Sequence, residues 1–229
     1  MSSGGSSPKV ISKNEDGRVR VEECFNRKQF NARWYAVGHF LKEGLVFCGG
    51  ISINYEGYGE NNDDCIVIKR LAIESFKMIE NERTKASSVK LNETTMWITG
   101  GNGLYSTEFA TISGSTKGID LPFTISRHCM VKLESNVIFL IGGTQNDSSY
   151  SDKTWIIDMD NDFNLREGPL LNEGRKYPLC SQLKDDFGHD IIVVVAGNSG
   201  DTIEFLNVTL MDKWMYGRYS VTKHQQKNF

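Results

Sequence analysis

Apolar residues along this chain gather in short runs that end on glycine. "GLVFCGG" closes at Gly50, "TMWITGG" at Gly101, "VIFLIGG" at Gly143 and "IIVVVAG" at Gly197, where Ala196 replaces the first glycine. Successive end points lie 51, 42 and 54 residues apart. Runs of four to six residues rich in Val, Ile, Phe and Trp are too short for helices and fit strands buried on both faces. A glycine pair at the exit of such a strand predicts left-handed φ angles or the close approach of another backbone. Gly49, Gly50, Gly100, Gly101, Gly142, Gly143 and Gly197 are therefore read as structural positions of an internal repeat.

A second marker keeps its own period. Arg33, Arg83, Arg127, Arg175 and Arg218 stand 50, 44, 48 and 43 residues apart, and the first four precede their glycine pairs. Softer apolar stretches follow the arginines: "ASSVKL", "HCMVKL" and "YPLCSQL". After the glycines and a polar loop comes a third stretch in each unit: "CIVIKRL", "YSTEFATI", "KTWIIDM" and "TIEFLNV". A bulky residue marks a fourth position, Phe76 in the first unit and Trp214 in the last. Four strands per unit make an antiparallel sheet, and radial stacking of such sheets buries their faces at this period. The pattern predicts an all-β chain, a β-propeller with four complete four-stranded blades at about 33–82, 83–126, 127–174 and 175–217. Residues 1–17 read as a flexible tail, "RVRVEECFNRKQFN" as the outer half of a further blade, and 218–229 as a tail or truncated blade. Such a ring is left incomplete, or closes with few blades.

Lys and Arg total 26 against 29 Asp and Glu, a formal charge of −3, so net charge gives no reason to expect nucleic acid or an acidic membrane as partner. No apolar run approaches a membrane span, and "MSSGGSSPKV" lacks the apolar core of a signal peptide, which favours a cytoplasmic protein. Five scattered cysteines without a CxxC or Cys/His cluster read as buried free thiols, not a zinc site. Three glycosylation sequons, at Asn92, Asn146 and Asn207, are the feature that would favour an extracellular protein.

Hydrophobic residues before a double glycine, an aromatic-containing third strand, then Trp, a turn and Arg resemble the kelch repeat. The final unit, "AGNSGDTIEFLNVTLMDKWMYGR", is similar to it at Ile203, Phe205, Asn207, Trp214 and Arg218, and the third offers "TWIIDMDNDFNLREGPLLNEGR". Leu165, Phe76 and "STKGIDLP" depart from it where the family has Trp. The resemblance spans about Arg18 to Arg218 and implies a kelch-type propeller, usually of six blades. It also implies roles such as substrate recognition for ubiquitin-ligase adaptors or actin binding, although the BTB and BACK domains of those adaptors are not in this sequence.

Local chemistry is sparse. Asp158, Asp160 and Asp162 have calcium-loop spacing, but Phe163 and Pro169 occupy the positions that need Gly and Glu. The histidines are scattered, and neither a GxSxG elbow nor a phosphate loop occurs. The expectation is a non-enzymatic module without cofactor, metal or small-molecule substrate, binding a protein through loops that follow the glycine pairs. Tyr55, Glu56, Tyr58, Glu60, Asp63, Asp147 and Tyr150 are the candidate contacts, aromatics anchoring and acids selecting a basic segment. The alternatives are an enzyme using the central channel and an extracellular glycosylated kelch protein. The recurrent arginines read as buried guanidinium groups bonding backbone or a carboxylate of the next blade.

Overall fold

The computed structural model describes residues 9–13, 19–23, 33–53, 58–69, 72–78, 82–146, 150–197 and 202–217. Four antiparallel four-stranded sheets follow one another, each a meander in chain order. The first comprises Val37–Leu41, Gly44–Cys48, Asp64–Ile68 and Ile73–Lys77. The second has Ser87–Lys90, Met96–Thr99, Thr107–Ala110 and Ser115–Lys117. The third has Cys129–Lys132, Val137–Ile141, Thr154–Asp158 and Asn164–Glu167. The fourth has Leu179–Lys184, Asp190–Val195, Ile203–Asn207 and Met215–Tyr216. A 3-10 turn at Met159–Asn161 joins two strands of the third sheet.

Three cores alternate with the four sheets. Val46, Cys48 and Val67 of the first meet Met96 and Ile98 of the second. Trp97 and Val89, on the opposite face of the second, meet Met130, Ile138 and Leu140 of the third. Phe139, Ile141 and Ile156 of the third then pack on Ile192, Val194, Leu206 and Trp214 of the fourth. The middle sheets are covered on both faces, which is why "TMWIT" and "VIFLI" are apolar without alternation. The outer sheets use one face each for these cores. On the fourth, Leu179 is 66% exposed and Leu183 50%, while Cys180 between them turns inward. An all-β stack of separate sheets in chain order fits a β-propeller-like fold.

The glycine pairs are explained by the neighbouring sheet. A Cβ on Gly49 would lie 2.2 Å from the carbonyl oxygen of Arg83, one on Gly100 2.1 Å from that of Ile125, and one on Gly142 2.8 Å from that of Arg175. The second glycine donates its N–H to the same carbonyl: Gly50 to Arg83 and Gly101 to Ile125 at 2.8 Å, Gly143 to Arg175 at 2.6 Å. Both expected reasons apply together, since the pairs also have positive φ. Ala196 keeps the left-handed angle, φ 58°, in the last sheet.

Three expectations need correction. Lys9–Lys13, placed in the tail, is a strand paired with Val19–Glu23, so the N-terminal hairpin begins earlier than the half blade read from Arg18. In the third unit Ile125, not Arg127, holds the place of Arg83 and Arg175, because its carbonyl is the one that receives the glycine N–H. The thiols are not all free: Cys48 is bonded to Cys65 within the first sheet, and Cys129 to Cys180 between the innermost strands of the third and fourth.

Candidate binding face

At the glycine end of the sheets three arginines act as staples. Arg83 is buried, donates Nη1 to the carbonyls of Gly100 and Ser106 at 2.8 and 2.9 Å, and pairs through Nε with Glu108 at 3.0 Å. Arg175 repeats this with Ala196, Thr202 and Glu204 at 2.8, 3.1 and 3.0 Å. Arg33 repeats it with the carbonyls of Gly49 and Asp64 and with the Asp64 carboxylate. Each carboxylate belongs to the four-stranded sheet that follows its arginine in the chain, while the main-chain carbonyls of Arg83 and Arg175 hold the preceding sheet's glycines. These arginines join glycine exit, third strand and neighbour in one hydrogen-bonded knot.

Two residues beyond each knot comes a residue with positive φ: Tyr35 at 59°, Lys85 at 60°, Arg127 at 56° and Tyr177 at 61°. A left-handed L-residue costs roughly 1–2 kcal/mol relative to glycine's freedom, yet none of the four is glycine. Their backbones link sheet to sheet: Lys85 N–H donates to Tyr35 at 3.3 Å, Arg127 to Lys85 and Tyr177 to Arg127 at 2.8 Å. Their side chains meet as well. The Tyr35 and Tyr177 rings stack at 5.9 Å, the Lys85 ammonium lies 5.6 Å over Tyr35, and Arg127 donates Nε to the Tyr177 hydroxyl at 2.9 Å.

The described tyrosines are one-sided. Tyr35, Tyr58, Tyr105, Tyr150, Tyr177 and Tyr216 all lie at the glycine end, each more than a third exposed. Trp34 joins them, more exposed than buried, in a small sheet of Arg33–Trp34, Ile51–Ile53 and Gly59–Asn61. At the opposite end the turns are mainly polar, with Phe40, Leu183, Phe187 and Leu210 exposed at or beside them.

Of the residues expected to make contacts, Tyr58 and Tyr150 stand exposed on this face, and Lys176 reaches over the Tyr150 ring at 6.0 Å. Glu60 is exposed on the adjoining strand Gly59–Asn61. Asp63 is engaged by Lys77, whose hydrogen bond holds its carboxyl below the usual carboxylate range, so its charge is already matched. Tyr55, Glu56, Asp147 and the repeat marker Arg218 lie outside the described residues. Trp214 is buried, its indole N–H donating to Pro169 at 3.0 Å, as a core position. The sequence reading missed Tyr35, Lys85 and Tyr177. Their signal was a fixed offset of two from the knot position, concealed in the third unit by Ile125.

Among the described residues no three His, Cys, Asp or Glu side chains converge as a metal site. His128 is buried, with Nε2 against the Thr99 hydroxyl at 2.7 Å, and burial pushes its pKa down to about 3, so it stays neutral. No helix among the described residues is long and apolar enough to cross a membrane.

No protein-family model matches the chain, and no curated protein matches it in sequence. Among solved structures, that of YjhT is similar with a TM-score of 0.67 at 12% identity, covering 93% of this chain and 78% of that one. At this identity the likeness establishes fold and nothing of function.

Proposed function

We propose that this chain is a non-enzymatic protein-binding module, a kelch-type propeller of four complete blades that recognises its partner through the glycine-end face. The observation that carries this reading is the placement of every described tyrosine on that one end. Tyrosine offers large contact area, a polar tip and little rotamer entropy to lose, so it concentrates at recognition surfaces. The partner class implied by the kelch resemblance, a ubiquitin-ligase substrate or actin, belongs to the same proposal. Capture by the full chain should drop at least tenfold when Tyr58, Tyr150 and Tyr177 are changed to Ala, and persist when Phe187 and Leu210 are changed to Ala. Equal capture by both variants would overturn the assignment of the face.

A second reading, an extracellular glycosylated kelch protein, is favoured by the two disulfides, which persist in oxidising compartments. Asn92 of one sequon is exposed on a turn, with Thr94 donating N–H and hydroxyl to its side-chain oxygen at 2.9 and 3.0 Å. Passage of the chain through a secretory system should give a glycosidase-sensitive mass increment that Asn92→Gln removes. Full-length protein bearing no glycan would sink this reading.

A further inference from the structure

We propose that the cavity at the mouth of the glycine end binds a carboxylate group through Lys85 and Arg127. The cavity measures about 200 Å³ and is lined by Lys85, Arg127, Asn102, Thr124, Ser126 and Thr144. Two cations face it and no acid does. Among the described residues neither Lys85 nor Arg127 pairs with a carboxylate, in contrast to Arg33, Arg83 and Arg175. Arg127 gives Nε to Tyr177, while its Nη1 reaches the hydroxyls of Ser126 and Thr144 only at 3.4 and 3.5 Å. The outer edge of the guanidinium is thus poorly used, and a planar carboxylate accepts from such an edge with two oxygens. Tyr177 fixes the plane of the fork from behind.

Lys85 supplies the second charge. Its ammonium is held over the Tyr35 ring, and both cations stand on backbone in the left-handed region, which glycine would adopt without steric strain. The Thr84 hydroxyl donates to the Asn102 side-chain oxygen at 3.2 Å, which turns the amide N–H₂ away from Thr84. With Ser126 and Thr144 it adds neutral donors to the rim. The volume suits a small organic acid or one acidic side chain, and both present the same carboxylate. Like-charged groups gathered around a small cavity repel one another, and an anion between them relieves that repulsion. This assignment does not depend on the partner being a protein.

The test is titration of the full chain by NMR at low salt with glutarate, with a hexaglutamate peptide, with their uncharged amide counterparts and with inorganic phosphate. Carboxylate-dependent shifts should appear, and Arg127→Gln and Lys85→Gln should each weaken binding at least tenfold, with Arg127→Lys in between. A hexaglutamate affinity tenfold above glutarate's assigns the site to an acidic segment, and comparable affinities assign it to a small acid. Lys85→Gln removes only surface contacts, so it serves as the readout if the arginine variants do not fold. Absence of binding by both carboxylates, binding unchanged in the variants, or phosphate binding at least as tight as glutarate would overturn the proposal. Partner capture through the tyrosines can survive that result, so the two failures are distinguishable.

Discussion

At the scale of residues, identical side chains do different work according to where the backbone leaves them. Arg175 is fully buried, and removing its guanidinium strands Glu204 in the interior. Arg175→Met should therefore cost about 3–5 kcal/mol of unfolding free energy, the usual penalty for breaking a buried pair from one side. Arg127→Met, at the mouth, should cost under about 1 kcal/mol. Denaturant unfolding of both variants checks the contrast, and similar losses would mean that the third unit keeps its knot at Arg127 after all. His128 adds a pH dependence. An unfolded histidine takes up a proton near pH 6.5, and the buried one resists it down to about 3. Its folded pKa lies below the unfolded one, so it makes stability fall as pH drops below about 6.5. About 2 kcal/mol should be lost between pH 7.5 and pH 5. Urea titrations at the two pH values should show this slope, and His128→Gln should reduce it.

Elements were legible where packing imposes a pattern and obscure where only the topology does. The strands ending at Thr99 and Ile141 could be read because both of their faces are covered, and the glycines because a neighbour's carbonyl excludes a Cβ. Nothing local announces that Cys129 and Cys180, 51 residues apart, face each other from adjacent innermost strands. Nor could spacing alone separate Ile125 from Arg127, since both lie within the looseness of the period. The tyrosines converge only after every loop has been brought to one end. The inter-sheet disulfide should matter most to the last sheet. Replacing Cys129 and Cys180 by Ser should remove about 4 kcal/mol on the chain-entropy account, against about 3 for Cys48 and Cys65, whose separation is 17. Hydrogen exchange should then speed up first in Leu179–Lys184. Uniform acceleration across all four sheets would show that the bridge constrains the molecule globally instead.

For the molecule as a whole, the last sheet has an apolar side that none of the three cores uses. Leu179, Leu183 and Met215 are about half exposed or more, with Val193, Val195 and Phe205 half-buried beside them. Contiguous apolar surface of this kind binds hydrophobic dyes in the native state. Fluorescence of such a dye should rise with folded protein, and fall by more than half in a Leu179→Lys, Leu183→Lys double variant. A native protein that binds no dye would mean that this side is covered in solution.

The collar at Tyr35, Lys85, Arg127 and Tyr177 has a consequence for change over time. Its main-chain hydrogen bonds link sheet to sheet whatever side chains it carries, and those side chains stand outside the three cores. The scaffold places little demand on which side chains occupy these positions beyond their tolerance of the left-handed angle. Charge and shape at the mouth can be rewritten by four substitutions while the arginine knots and cores stay untouched. A lineage built on this frame can acquire new ligands faster than it acquires new folds.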